Sequence, residues 1–67
     1  MIRVQLNGKD HDVAAGQTVS QLLVSLELRP ELIVVERNRE ILSRDRYDAV
    51  RVEEGDTLEL VHFVGGG

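Results

Sequence analysis

Apolar and polar residues alternate from the start of the chain, with Ile2, Val4 and Leu6 separated by Arg3 and Gln5. That is the period of a strand with one buried face. Asn7-Gly8 follows directly, and both residues tolerate the positive φ that a two-residue hairpin turn demands. The register this predicts sets Leu6 opposite Lys9, Val4 opposite His11 and Ile2 opposite Val13. After Ala15-Gly16-Gln17 breaks the alternation, Thr18 with Gln21 three residues on has the form of a capping box at a helix start. Val19, Leu22, Leu23 and Leu26 then recur at helical spacing and make a single apolar stripe that a sheet must cover. Pro30 predicts a helix end near Leu28, because the residue before a proline is pushed out of the α region.

Two short apolar runs, Ile33-Val34-Val35 and Ile41-Leu42, flank Asn38-Arg39 and predict a second pair of strands, with Arg37 and Glu40 placed to pair across the turn. Ser43 to Tyr47 reads as a turn or short helical piece, and Glu54-Gly55-Asp56 as a turn. Leu58 and Leu60 alternate with Glu59 and Val61 to give a last strand. The order strand, strand, helix, strand, strand, strand predicts an α+β domain, a mixed sheet of about five strands with one helix packed on one face. With the last strand beside the first, the chain is expected to end at a sheet edge with its tail projecting.

Composition narrows the classes of function. Sixty-seven residues make one domain, and so short a chain buries only about 60% of the surface its unfolded form exposes, leaving little room for a private active site. Without cysteine there is no disulfide scaffold, Cys-ligated zinc or thiol nucleophile. Met1-Ile2-Arg3-Val4 runs straight into strand alternation, with no signal-peptide pattern. No run approaches the roughly 18 apolar residues of a membrane span, so a cytoplasmic location is expected. Eight Lys and Arg against twelve acids, without a basic block, argue against nucleic acid. The net charge of −4 suits a partner with a basic docking face, and equally plain solubility. His11 lies between Asp10 and Asp12 with no second histidine at ligand spacing, so no metal site is read. His62 shares the parity of Leu60 and is expected at the rim of the core. Arg44 and Arg46 are assigned no role.

The run Leu58 to Val64 gives way to Gly65-Gly66-Gly67. Three residues without side chains cannot pack, but they extend about 10 Å and pass through a channel that any Cβ would block. The expected division is a folded domain over 1–64 and a flexible glycine tail over 65–67. The group such a tail delivers is the Gly67 carboxylate, ionised at neutral pH and a poor electrophile until activated. A terminal Gly-Gly therefore points to a substrate of an activating enzyme. Strand parity sets Glu59, Val61 and Phe63 on the face opposite Leu58 and Leu60. An apolar Val61 and Phe63 there, just before the tail, are the candidate docking residues.

Several segments in order, Asn7-Gly8, Ala15-Gly16-Gln17-Thr18-Val19 leading to Leu22-Leu23, Val35 to Ile41, Glu54-Gly55-Asp56 and the ending Val61 to Gly67, carry a resemblance over nearly the whole chain. The chain resembles the ubiquitin-like β-grasp sulfur carriers, most closely those of the ThiS type in thiamine biosynthesis. The resemblance implies a carrier co-substrate that is not itself an enzyme and binds no cofactor. In that family a ThiF-type adenylyltransferase uses ATP to adenylate the C-terminal glycine, a persulfide donor supplies sulfur, and the thiocarboxylate serves a ThiG-type thiazole synthase. Gly67 would be the modified residue, Gly66 the family's second tail glycine and Gly65 a spacer. Ser43 stands where proline is common in the family. Carriers for molybdopterin, tRNA thiolation or cysteine synthesis share the tail chemistry, a ubiquitin-like modifier would share the activation, and a β-grasp binding module would use neither.

Overall fold

The computed structural model describes residues 1–62. Five strands, β1 (Ile2–Leu6), β2 (Lys9–Val13), β3 (Ile33–Arg37), β4 (Glu40–Leu42) and β5 (Thr57–His62), form one mixed sheet in the order β2-β1-β5-β3-β4. The predicted β1–β2 register is found pair for pair. β5 runs parallel to β1 and antiparallel to β3. One expectation is corrected here: β5 is the central strand, between β1 and β3, and not a strand at the sheet edge.

A single helix, α1 (Val19–Ser25), lies on one face. Its capping box forms as read, the Gln21 amide hydrogen reaching Thr18 Oγ1 at 3.2 Å and the Thr18 amide reaching Gln21 Oε1 at 2.9 Å. Val19, Leu22 and Leu23 are almost fully buried, and burial contributes about 1.5–3 kcal/mol for each large side chain. A seven-residue helix has no comparable stability of its own. Val4, Leu6, Ile33, Val35 and Leu58 meet that stripe from the sheet.

The helix stops earlier than Pro30 predicts. Leu26 caps it, Glu27 takes a left-handed φ of 63°, and the Glu27 and Leu28 amides turn back to Val24 O and Leu23 O. This is the glycine-type helix ending with glutamate in the glycine position. Pro30 instead opens a 3-10 turn, Pro30–Leu32, that leads into β3. A second 3-10 turn, Arg44–Arg46, begins the connection to β5. Ser43 before it has φ −60°, the angle a proline ring imposes, so serine there leaves the path of the chain unchanged.

The long connection from Ser43 to Asp56 is anchored rather than loose. The Val50 and Tyr47 carbonyls accept from the Val19 and Ser20 amides at 2.9 and 3.0 Å, satisfying donors that every helix start leaves open. Tyr47, 3% exposed, sends its hydroxyl to β3. It donates to Ile33 O at 2.7 Å and accepts from the Val35 amide at 3.1 Å. β4 reaches only as far as the Val35–Leu42 pair, and the tyrosine oxygen takes over the next edge groups of β3. Among the described residues no helix is long and apolar enough to cross a membrane.

Candidate functional site

Phe63, Gly65, Gly66 and Gly67 lie outside the described residues, so the geometry of the candidate site is that of the strand leading to them. β5 is gripped along β3 through five pairs, from Arg37–Leu58 to Ile33–His62. On its other side β1 contributes two pairs, Gln5–Thr57 and Leu6–Leu58, and then turns away. Backbone bonds from the Gln5 amide to Asp56 O and the Asn7 amide to Leu58 O, both 2.9 Å, complete that short parallel contact.

The two hairpin turns extend the grip with side chains. Asn7 and Asn38 each occupy the first position of a turn at φ 52° and 51°. Asn38 Oδ1 accepts from the Thr57 amide at 2.9 Å, and the Asn38 amide donates to Thr57 O at 2.8 Å. At the far end Asn7 Oδ1 accepts from the Leu60 amide at 2.7 Å while Asn7 Nδ2 donates to Leu60 O at 3.3 Å. The central strand is therefore clipped near both ends by asparagines 31 residues apart in sequence.

The start of β5 has one more fixture. Asp56, 6% exposed, accepts from Arg37 Nε at 3.0 Å and Nη2 at 3.5 Å, from Asn38 Nδ2 at 3.2 Å and from the Glu53 amide at 2.9 Å. Arg37 thus turns to Asp56 rather than to Glu40, its predicted cross-strand partner. A buried carboxylate with several donors is the better partner, because an exposed pair gains little over water.

The face of the sheet away from α1 carries Val61, 59% exposed and directly opposite Val34, as strand parity predicts. Glu59 lies opposite Glu36, which in turn lies opposite Ile41, itself 69% exposed. Like charges directly opposite are unfavourable in a sheet. The face is a small apolar patch with a carboxylate pair beside it. Farther along, Arg3 Nε donates to Asp12 Oδ1 at 3.1 Å. That hydrogen bond, reinforced by the opposite charge, raises the Arg3 guanidinium above its ordinary value and holds the Asp12 carboxyl below the usual carboxylate range. His62 is exposed, not tucked against the core as its parity implied. Among the described residues no group of three His, Asp or Glu side chains is placed to hold a metal.

The profile of the ThiS family matches residues 4–67. The sulfur carrier protein ThiS of Bacillus subtilis is 45% identical over 65 residues, 96% of this chain and 98% of that protein. A thiazole synthase of Magnetococcus marinus is 46% identical over 66 residues, and there the chain spans only 20% of the relative's length. The crystal structure of a thiamine biosynthesis protein (ThiS) from Geobacter metallireducens superposes with a TM-score of 0.82 at 36% identity, covering 98% of this chain and all of the other.

Proposed function

The chain belongs to the ThiS family, and on that premise we propose that it is a sulfur carrier in thiamine biosynthesis, a co-substrate whose 1–64 domain presents a 65–67 glycine tail. The reading rests on a family match that runs through Gly67, joined to a central strand held on both sides almost to its end. The segment shared with a protein named thiazole synthase favours the thiazole branch over the molybdopterin, tRNA and cysteine branches.

The chemistry falls on one carboxylate. Gly67 attacks the α-phosphorus of ATP on a ThiF-type adenylyltransferase, pyrophosphate leaves, and an acyl adenylate forms. A persulfide sulfur then attacks the carbonyl carbon and AMP departs. A second thiol must reduce the resulting S–S bond to release the thiocarboxylate. That soft nucleophile delivers sulfur to a ThiG-type thiazole synthase. The catalytic acids and bases belong to the partners, and ATP is the adenylyltransferase's ligand. Gly65 and Gly66 give the tail a form that a narrow channel admits, while Val61, with Phe63 beyond it, offers an apolar contact to the partners.

ATP–pyrophosphate exchange with the adenylyltransferase of the same host tests the reading. Deleting Gly67 should abolish exchange, and intact mass of the reacted wild type should show one terminal oxygen replaced by sulfur. Exchange at the wild-type rate without Gly67, or a thiol-resistant isopeptide conjugate as the product, would overturn it. Val61→Asp should raise KM for the carrier by about tenfold or more, since removing a buried valine contact is worth about 1.5 kcal/mol or more and 1.4 kcal/mol is a factor of ten. An unchanged KM would remove Val61 from the docking surface.

A further inference from the structure

The Asn7 side chain does more than its turn requires. A two-residue turn with positive φ at both positions accepts asparagine, aspartate or glycine first, and Gly8 at φ 83° supplies the second. None of that needs the two bonds from the Asn7 amide to Leu60. β1 makes its last backbone bond to β5 at Leu58 and then turns away, which would leave the Leu60 amide and carbonyl open on that side. The Asn7 carboxamide fills the place of a missing peptide group, accepting from one and donating to the other. Among the described residues, beyond Leu60 only the β3 ladder holds the strand, through Val34–Val61 and Ile33–His62.

We propose that Asn7 is a positioning residue for the tail, clipping β5 at Leu60 and so setting how much chain leaves the sheet to carry Gly67 to a partner's catalytic centre. The proposal rests on the carrier reading. Five residues follow His62, and at 3.3–3.6 Å each they reach about 17 Å, with each residue peeled from β5 adding about 3.4 Å. A displacement of about 1 Å at a reacting centre can cost a hundredfold in rate. A tail of fixed residue number delivers its carboxylate to a fixed distance only if its base stays put. Without the clip, the end of β5 hangs on one ladder and frays from Leu60 onward.

Asn7→Gly keeps the turn and removes the clip, and Asn7→Asp keeps the acceptor for the Leu60 amide. Both are compared with wild type in the full chain, at a temperature where all three are folded by circular dichroism. Amide exchange at Leu60 and kcat and KM for pyrophosphate exchange are read with the native tail and with Gly65 deleted. N7G should speed Leu60 exchange at least tenfold and lower kcat about tenfold with KM within a factor of two, since the lost interaction acts at the reacting end and not in docking. It should also shrink the penalty for deleting Gly65, because an unclipped strand can release a residue to restore the reach. N7D should fall between wild type and N7G.

A purely structural role for Asn7 would leave the tail-length penalty as large as in wild type. That result, or an N7G kcat equal to wild type, overturns the proposal. A wild-type chain that no adenylyltransferase activates would instead bring down the carrier reading, and this inference with it.

Discussion

Replacing Tyr47 by phenylalanine deletes one oxygen atom, and the structure says what that atom is worth. The hydroxyl is buried, donates to Ile33 O at 2.7 Å and accepts from the Val35 amide at 3.1 Å, at and just beyond the last β3–β4 pair, Val35–Leu42. Tyr47→Phe keeps the ring in the core and leaves both backbone groups facing a benzene edge. Each hydrogen bond is worth about 1 kcal/mol net, and a buried group left without a partner costs about 1–3 kcal/mol. Since a carbonyl tolerates the loss of one partner better than an amide does, the sum is about 2–4 kcal/mol. Against a total of about 3–10 kcal/mol for a domain of this size, that is a large fraction. At about 4–8 °C per kcal/mol, the thermal midpoint should fall by about 8–32 °C.

Far-UV circular dichroism is the assay, in heat and in urea. Tyr47 is the only tyrosine and there is no tryptophan, so fluorescence would lose its reporter with the substitution. Because Ile33 and Val35 pair with His62 and Leu60, amide exchange along the β3–β5 ladder should rise in the same variant. A destabilisation below about 0.5 kcal/mol, the scale of an ordinary surface change, would refute the reasoning. It would mean that the β3 edge finds other partners and that Tyr47 contributes packing alone.

Arg39 holds φ 72° at the turn position where the first hairpin has Gly8. Arg39→Gly should therefore stabilise the domain by about 0.5–1 kcal/mol, as relief of left-handed strain exceeds the entropy glycine adds to the unfolded chain; a lower urea midpoint would contradict this. Asp12 is depressed by its hydrogen bond to Arg3. Its contribution to stability is thus present above the unfolded carboxyl value near ~3.9 and lost as pH falls through the lower folded value. Arg3→Gln should move the Asp12 midpoint up toward the ordinary value in a carboxyl NMR titration, with little change in stability because the pair is exposed. An unmoved midpoint would show that Arg3 is not its cause.

Local pattern carried the β1–β2 hairpin to the residue, because period-two alternation and Asn7-Gly8 specify the same register twice over. The start of α1 was equally plain from Thr18 and Gln21. Its end was not, since the terminating left-handed residue is Glu27 and nothing about a glutamate advertises that conformation. Arg37 shows a different failure: Glu40 was the neighbour by spacing, but Asp56, 19 residues away, offered a less solvated carboxylate. Tyr47 and both turn asparagines act on backbone groups of distant strands, and an amide or carbonyl partner leaves no mark in residue type. Of the candidate site, Val61 was placed correctly by parity, while the histidine of the same strand was not.

The position of β5 connects these devices. Its closest neighbours in sequence do not hold it: β1 is more than fifty residues earlier, and β3 starts 24 residues before Thr57. Placing the last strand in the middle makes its retention depend on contacts from both halves of the domain. A pull along β5 from its C-terminal end must break the β3 ladder and the Asn7 clip before it reaches the Asp56 network. Those bonds load largely together when the force runs along the strand, whereas peeling sideways would open them one at a time. A strand at the sheet edge would be held on one side only. On the proposed carrier reading, in which one enzyme adenylates the tail and another takes sulfur from it, the central position would let the domain remain folded while its terminus is handled twice.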